Sequence, residues 1–242
     1  MESLVLDGVA LPSEFKVAVL ERPFATPTPV TQFVHGGGRY ALRGVDLVPP
    51  QISFRVIARE MTAAQRQARA DALAPLLVRD GAVRVAFGSD GGRYYEAVPS
   101  GPLDLHQFVS SGSVDVTMTC LEAAMYGDEK VATVPSGGSV TFEVGGTYPT
   151  KPTITAASAV RNSSSLLWGV RLDGGDFLHV ETGSSSSRSV VLDCAAGTCK
   201  LAGAAHMATL DSDWFEMRPG SHTVRMDNGT GAAVVRWQER WL

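Results

Sequence analysis

The stretch "SDWFEMRPGSHTVRM", residues 212–226, gathers Ser212, Asp213, Glu216, Arg218, Ser221 and His222 within fifteen positions. A serine beside a histidine with acids nearby is the raw material of nucleophilic catalysis, in which a base takes the hydroxyl proton and an acid orients the base. Spacing argues against that reading. Ser221 and His222 are neighbours, and neighbours on a strand point to opposite faces. Pro219-Gly220 is a turn dipeptide, with Trp214, Phe215 and Met217 before it and an alternating "HTVRM" after it. The cluster therefore reads as scaffolding around a turn, and no catalytic residue is assigned.

Other chemistry is equally thin. The five histidines, His35, His106, His179, His206 and His222, are scattered, with no HxH, HxxxH or CxxC, so no metal ligands are assigned. Cys194 and Cys199 in "DCAAGTCKL" flank a short loop. They could face each other across a hairpin, as a reduced pair or as a disulfide in an oxidising setting. Cys120 alternates with Val114, Val116 and Met118 and reads as a core thiol. "HGGGRY", residues 35–40, has the glycines of a phosphate loop without a following helix, and reads as a flexible loop or hairpin tip. Asp173 with Asp176 and Asp211 with Asp213 sit in turn-rich sequence, where carboxylates solvate loops or form Asx-turns more often than they bind calcium. No cofactor is expected.

The elements that must position these residues are mostly strands. "QISFRVIAR" turns Ile52, Phe54, Val56 and Ala58 to one face, and "AVRVAF" does the same with Val83, Val85 and Phe87. "SVTFEV" and "LLWGVRL" continue the pattern with Val140, Phe142, Val144, Leu166, Trp168, Val170 and Leu172. One segment differs. "TAAQRQARADALAPLLVR" predicts a helix over about 62–78, opened by a Thr62/Gln65 capping box. Its stripe is Ala64, Ala68, Leu73, Leu76 and Leu77, and Pro75 should kink it or end it near Ala74. The 25 Gly and 13 Pro are spread along the 242 residues and suit many turns. The fold class is mainly β. An N-terminal β-sandwich domain with one helix spans 1–130, and a jelly-roll-like β-sandwich spans 131–242.

Composition excludes several function classes. A net charge of −4 without a basic block argues against nucleic-acid binding. No run approaches the length of a membrane helix, and the first residues lack a basic, apolar leader, so the chain is expected to fold in a cytoplasm.

The order of features resembles the distal tail proteins of long-tailed phages with non-contractile tails. The resemblance runs from the helix through "RYYEAV" and "VDVTMTCLEAAMYG". It continues through "VTFEVGGTYPTKPTITA", "RSVVLD", "WFEMRPGSHTVRM" and the aromatic-basic end "AVVRWQERWL". It implies a structural virion protein, not an enzyme, located at the tail tip. It further implies a tail-tube-like N-terminal domain that builds a homo-hexameric ring, with the tail tube protein and tail-tip or receptor-binding proteins as partners. The helix and the "HGGGRY" loop are then the expected contacts between subunits or to the tube. A second reading is a carbohydrate-binding β-sandwich module, with Trp168, Tyr148 and Trp241 as its candidate stacking residues.

Overall fold

A computed structural model describes residues 2–23, 25–34, 39–58, 61–77, 80–183 and 185–242; the side chains of 32–34, 39–41 and 105 are outside that description. The chain divides into two compact units, Met1–Tyr126 with Leu242, and Gly127–Trp241.

In the first unit, β1 (Leu4–Leu6), β2 (Val9–Ala10), β3 (Lys16–Glu21), β4 (Thr26–Val34), β5 (Arg39–Val48) and β6 (Gln51–Ile57) precede helix α1 (Ala63–Leu77). Strands β7 (Val83–Phe87) and β8 (Tyr95–Pro99), helix α2 (Leu105–Ser111) and β9 (Ser113–Cys120) follow. Seven strands form one sheet in the order β2-β1-β7-β8-β9-β6-β3. The alternating residues read from the sequence all point into its core: Ile52, Phe54, Val56, Val83, Val85, Phe87, Val116 and Met118 are buried. Among the described residues, strands β4 and β5 pair only with each other.

Helix α1 opens on the expected capping box. The Thr62 amide donates to Gln65 Oε1 at 2.9 Å, and the Gln65 amide donates to Thr62 Oγ1 at 3.3 Å. The helix fills the expected span, running through Pro75 to Leu77 rather than ending near Ala74, because a proline in the last turn sacrifices a single amide bond. One expectation for this helix is corrected. Its buried face is Ala70, Leu73 and Leu77, while Ala64 and Ala68 are exposed. The two leucines carry far more apolar area than any alanine, so they choose the face and the alanines follow. A second, short helix joins this main one. Helix α2 is capped by Asp104, whose Oδ1 accepts the Gln107 amide at 2.8 Å, and closes on Gly112 in the left-handed region. Its Phe108 is fully buried and packs beside Phe15, with ring centroids 6.1 Å apart.

The second unit contains β10 (Met125–Val134), which begins two residues before it, then β11 (Ser139–Val144), β12 (Thr153–Ala159), β13 (Leu167–Leu172) and β14 (Phe177–Glu181). The remaining strands are β15 (Arg188–Asp193), β16 (Thr198–Leu201), β17 (Ala204–His206), β18 (Gly220–Asn228) and β19 (Ala233–Trp241). They make a six-stranded sheet, β10-β19-β12-β15-β16-β17, and a four-stranded sheet, β11-β18-β13-β14. Both supply one core: Ile154, Val190, Leu192 and Val235 from the first, Val144, Trp168, Val170, Leu178 and Val224 from the second. This is a two-sheet sandwich, and with the first unit it makes the chain mainly β.

Candidate functional site

The residues of the opening stretch separate in space. Phe215 and Met217 are fully buried and Trp214 is half-buried. Only the part after Pro219 is a strand, and β18 pairs with β11 and β13 rather than with the residues before the turn. His222 is engaged on both ring nitrogens. Nδ1 lies 2.6 Å from Asp173 Oδ2 and Nε2 lies 2.6 Å from the Arg218 carbonyl. The other Asp173 oxygen accepts the Thr223 amide at 2.7 Å. Asp173 thus fastens the β13–β14 turn and the Pro219-Gly220 bend to β18. Ser221 is exposed, and Ser212 accepts the His179 amide at 3.0 Å.

A second polar cluster was not anticipated. Arg171 grips Asp227 through two parallel bonds, Nε to Oδ1 and Nη2 to Oδ2, both 2.9 Å. His179 Nε2 lies 2.8 Å from Asp227 Oδ2 and 3.0 Å from Asn228 Nδ2. Phe177 closes the group, with the Arg171 guanidinium 4.9 Å above its ring. The paired hydrogen bonds from Arg171, supplemented by His179, hold the Asp227 carboxyl below the ordinary carboxylate range. These residues lie on three strands of one sheet, so their partnership is invisible to local spacing. The alternation of "VRL" and "RMDN" signals only that charged side chains occupy one face. The Ser165 hydroxyl donates to Asn228 Oδ1 at 3.1 Å, and the cluster pins β13, β14 and β18 together.

The three thiols are free and buried. Register places Leu192 opposite Cys199 and ends the β15–β16 ladder at Asp193 opposite Thr198, so Cys194 and Cys199 do not face each other. Burial pushes the Cys120 and Cys194 thiols up to about 12 and Cys199 up to about 11. We therefore expect iodoacetamide at pH 8 to leave the native protein essentially unlabelled and to modify all three cysteines once urea unfolds it. Rapid labelling of Cys199 in the native state would contradict its burial.

The stacking candidates are committed elsewhere. Trp168 is in the core at 0 % exposure, the Arg240 guanidinium sits 5.0 Å over the Tyr148 ring, and Trp241 packs against Gly127. A crevice of about 370 Å³ opens beside β17, lined in part by His206, Met207, Leu210 and Trp214. Among the described residues no three His, Cys, Asp or Glu side chains converge as a metal would require.

The least self-sufficient part of the described chain is the β4–β5 ribbon. It is a two-stranded sheet in the register Thr26↔Val48 through Val34↔Arg39, and residues 35–38 of "HGGGRY", which connect its strands, lie outside the described residues. Val30, Leu42, Val45 and Val48 are all exposed on it. Isolated two-stranded ribbons are marginal in water, and exposed apolar side chains in a group mark contact surfaces.

Comparison with known proteins bears on both units. Residues 145–241 match the family described as the siphovirus-type tail component, C-terminal domain. The whole chain superposes on the Dit protein of phage SPP1, described as a paradigm of the hub of the adsorption apparatus in phages infecting Gram-positive bacteria. The match has a TM-score of 0.74 at 19% identity and covers 100% of each chain. A chain of the phage P2 baseplate in its activated conformation with Ca matches at TM-score 0.55 and 7% identity, over 99% of this chain and 98% of that one. Its counterpart with Sr matches at 0.53 and 8%, over 98% of each. A sequence comparison with curated proteins finds no match. The resemblance read from the sequence is borne out in the family match of residues 145–241 and in the fold of the whole chain.

Proposed function

We propose, from the premise that this chain carries the siphovirus-type tail component C-terminal domain on the fold of a distal tail protein, that it is a structural hub of a phage tail. In this role it joins the tail tube to the tail-tip or baseplate apparatus. The observation that carries the reading is end-to-end correspondence: the likeness to the SPP1 hub covers all of both chains, and the family match falls on the second unit. The first unit, residues 1–126, builds a homo-hexameric ring that stacks on the tube protein. The second, 127–241, is a β-sandwich that carries tail-tip or receptor-binding components. The protein resides at the virion's tail tip after assembly in the host cytoplasm. It performs no catalysis, and its polar clusters serve to fasten strands.

Negative-stain imaging and mass photometry of the purified protein test this. Closed rings of six subunits are expected, alone or on addition of the cognate tube protein. A monomer that persists at high concentration and in the presence of the tube protein would overturn the ring.

A further inference from the structure

Residues 207–214, which follow β17, display apolar side chains in the open. Met207 is 75% exposed and Leu210 98%, the two most exposed large apolar residues among those described. A lone exposed leucine is ordinary. Here Met207, Leu210 and the half-buried Trp214 converge on the crevice beside β17, and such a grouping marks a contact surface.

The segment is tied down. Ala208 bridges to Val180 on β14. The Thr209 amide donates to the His179 carbonyl at 2.9 Å, and the Asp213 amide donates to the Phe177 carbonyl at 2.8 Å. Between these ties the Ser212 amide donates to the Thr209 carbonyl at 3.0 Å, closing a turn with Leu210 inside it. An apolar side chain held out on an ordered turn leaves little backbone freedom to be lost on binding, which favours affinity.

The polar groups of the crevice are already engaged. The Ser212 hydroxyl accepts the His179 amide at 3.0 Å and lies 2.9 Å from the Thr209 hydroxyl. A hydrogen bond from the Thr209 side chain, before any other cause, holds the Asp211 carboxyl below the ordinary carboxylate range. His206 Nε2 lies 2.9 Å from the Glu181 carbonyl. A sugar needs free, well-placed donors and acceptors beside an aromatic ring, and here they are taken. The surface that remains is apolar: Met207, Ala208, Leu210 and the Trp214 ring. The charge beside it has one sign. Asp211 and Asp213 are exposed next to Leu210, and among the described residues no lysine or arginine lines the crevice.

We propose that the 207–214 turn and its crevice seat a tail-tip or receptor-binding protein, through an apolar side chain of that partner flanked by lysine or arginine. The apolar side chain fills the crevice against Met207 and Trp214, and the basic flanks meet Asp211 and Asp213. The inference rests on the reading of the second unit as the carrier of such components and gives that role a surface.

The test uses the full chain with the purified tail-tip and receptor-binding proteins of the same phage, and reads association by biolayer interferometry. Met207→Ser and Leu210→Ser are each expected to weaken binding about tenfold or more, and together about 100-fold or more. Thr198→Trp, placed at the exposed rim of the crevice, should block it to a similar degree. Asp213→Lys should slow association and flatten its dependence on salt. Val131→Ser, at an apolar residue 51% exposed on β10, should change nothing. Urea midpoints within about 0.5 kcal/mol of wild type are expected throughout, as for surface substitutions generally, which separates a lost contact from a misfolded chain. If wild type binds a partner and these variants bind it equally well, this surface falls and the carrier role stands. Binding to a glycan array that is lost in Thr198→Trp would make the crevice a sugar site and overturn the proposal. A wild type that binds neither partner would remove the carrier role and this surface with it.

Discussion

Replacing Trp168 by alanine is expected to cost the C-terminal sandwich about 3–5 kcal/mol, the range for emptying a large aromatic site in a packed core. Trp168 is the largest of the fully buried side chains, lying on β13 opposite Val180. Its neighbourhood cannot collapse easily. Gly229 packs against it so closely that a Cβ there would stand 3.1 Å from the indole Cδ1 and 2.4 Å from the Val160 carbonyl. A cavity bounded by backbone stays open, and an open cavity is the costly kind. Trp168→Phe should cost far less, for two opposed reasons. It loses volume, but it also removes an indole Nε1 that is buried without a hydrogen-bond partner, and deleting an unsatisfied donor recovers desolvation energy. Urea midpoints followed by circular dichroism would rank the two. If Trp168→Ala fell within about 1 kcal/mol of wild type, the residue would not be the centre of this core.

The strand faces were legible because a period of two is local. Val114, Val116, Met118 and Cys120 announce their burial in eight residues of sequence, and all four are buried. Helix α2 was not legible from periodicity, since seven residues hold fewer than two turns of pattern. Its signals were the caps Asp104 and Gly112, which are common in turns as well. The "GGTYP" segment was legible as a motif but not as a cause. Gly146 has φ +95, and a Cβ there would meet the Arg240 carbonyl at 2.2 Å. The chain needs glycine at that point because it runs hard against the last strand, where Thr147 donates to the same carbonyl at 2.8 Å. The ionic groups were the least legible. Asp173 meets His222 across 49 positions and Arg171 meets Asp227 across 56, distances over which sequence spacing carries no geometric information. The ribbon falls between these cases. Thr-Pro-Thr-Pro looks like loop sequence, yet alternate prolines are compatible with an edge strand whose nitrogens face outward. Pro27 and Pro29 lack amide hydrogens and so leave one edge of the ribbon without donors at those positions.

Asp227→Asn is expected to destabilise the C-terminal sandwich by about 2–3 kcal/mol at pH 7, somewhat below the usual cost of breaking a buried ion pair. The discount follows from partial exposure: the Arg171 and Asp227 side chains are 22% and 13% exposed. The asparagine keeps the shape but cannot receive both guanidinium bonds, so Arg171 and the nearly buried His179 lose their shared acceptor. The pH dependence has a definite sign. Arg171 first, then His179, hold the folded-state carboxyl below its ordinary value. An unfolded aspartate titrates near about 3.9. A depressed folded value means that the unfolded chain takes up the proton first as pH falls. The stabilisation from Asp227 is therefore complete above the unfolded value and drains away as pH drops through the folded one. The difference between wild type and Asp227→Asn should be flat from about pH 7 to about pH 5 and narrow steadily below. Paired urea titrations at pH 7, 5, 4 and 3 would read it directly. A gap that stayed constant down to pH 3 would mean that the cluster stabilises by shape rather than by charge. Arg171→Met provides the complementary reading: it removes the main cause of the depressed carboxyl, so its own acid sensitivity should be shallower than that of wild type.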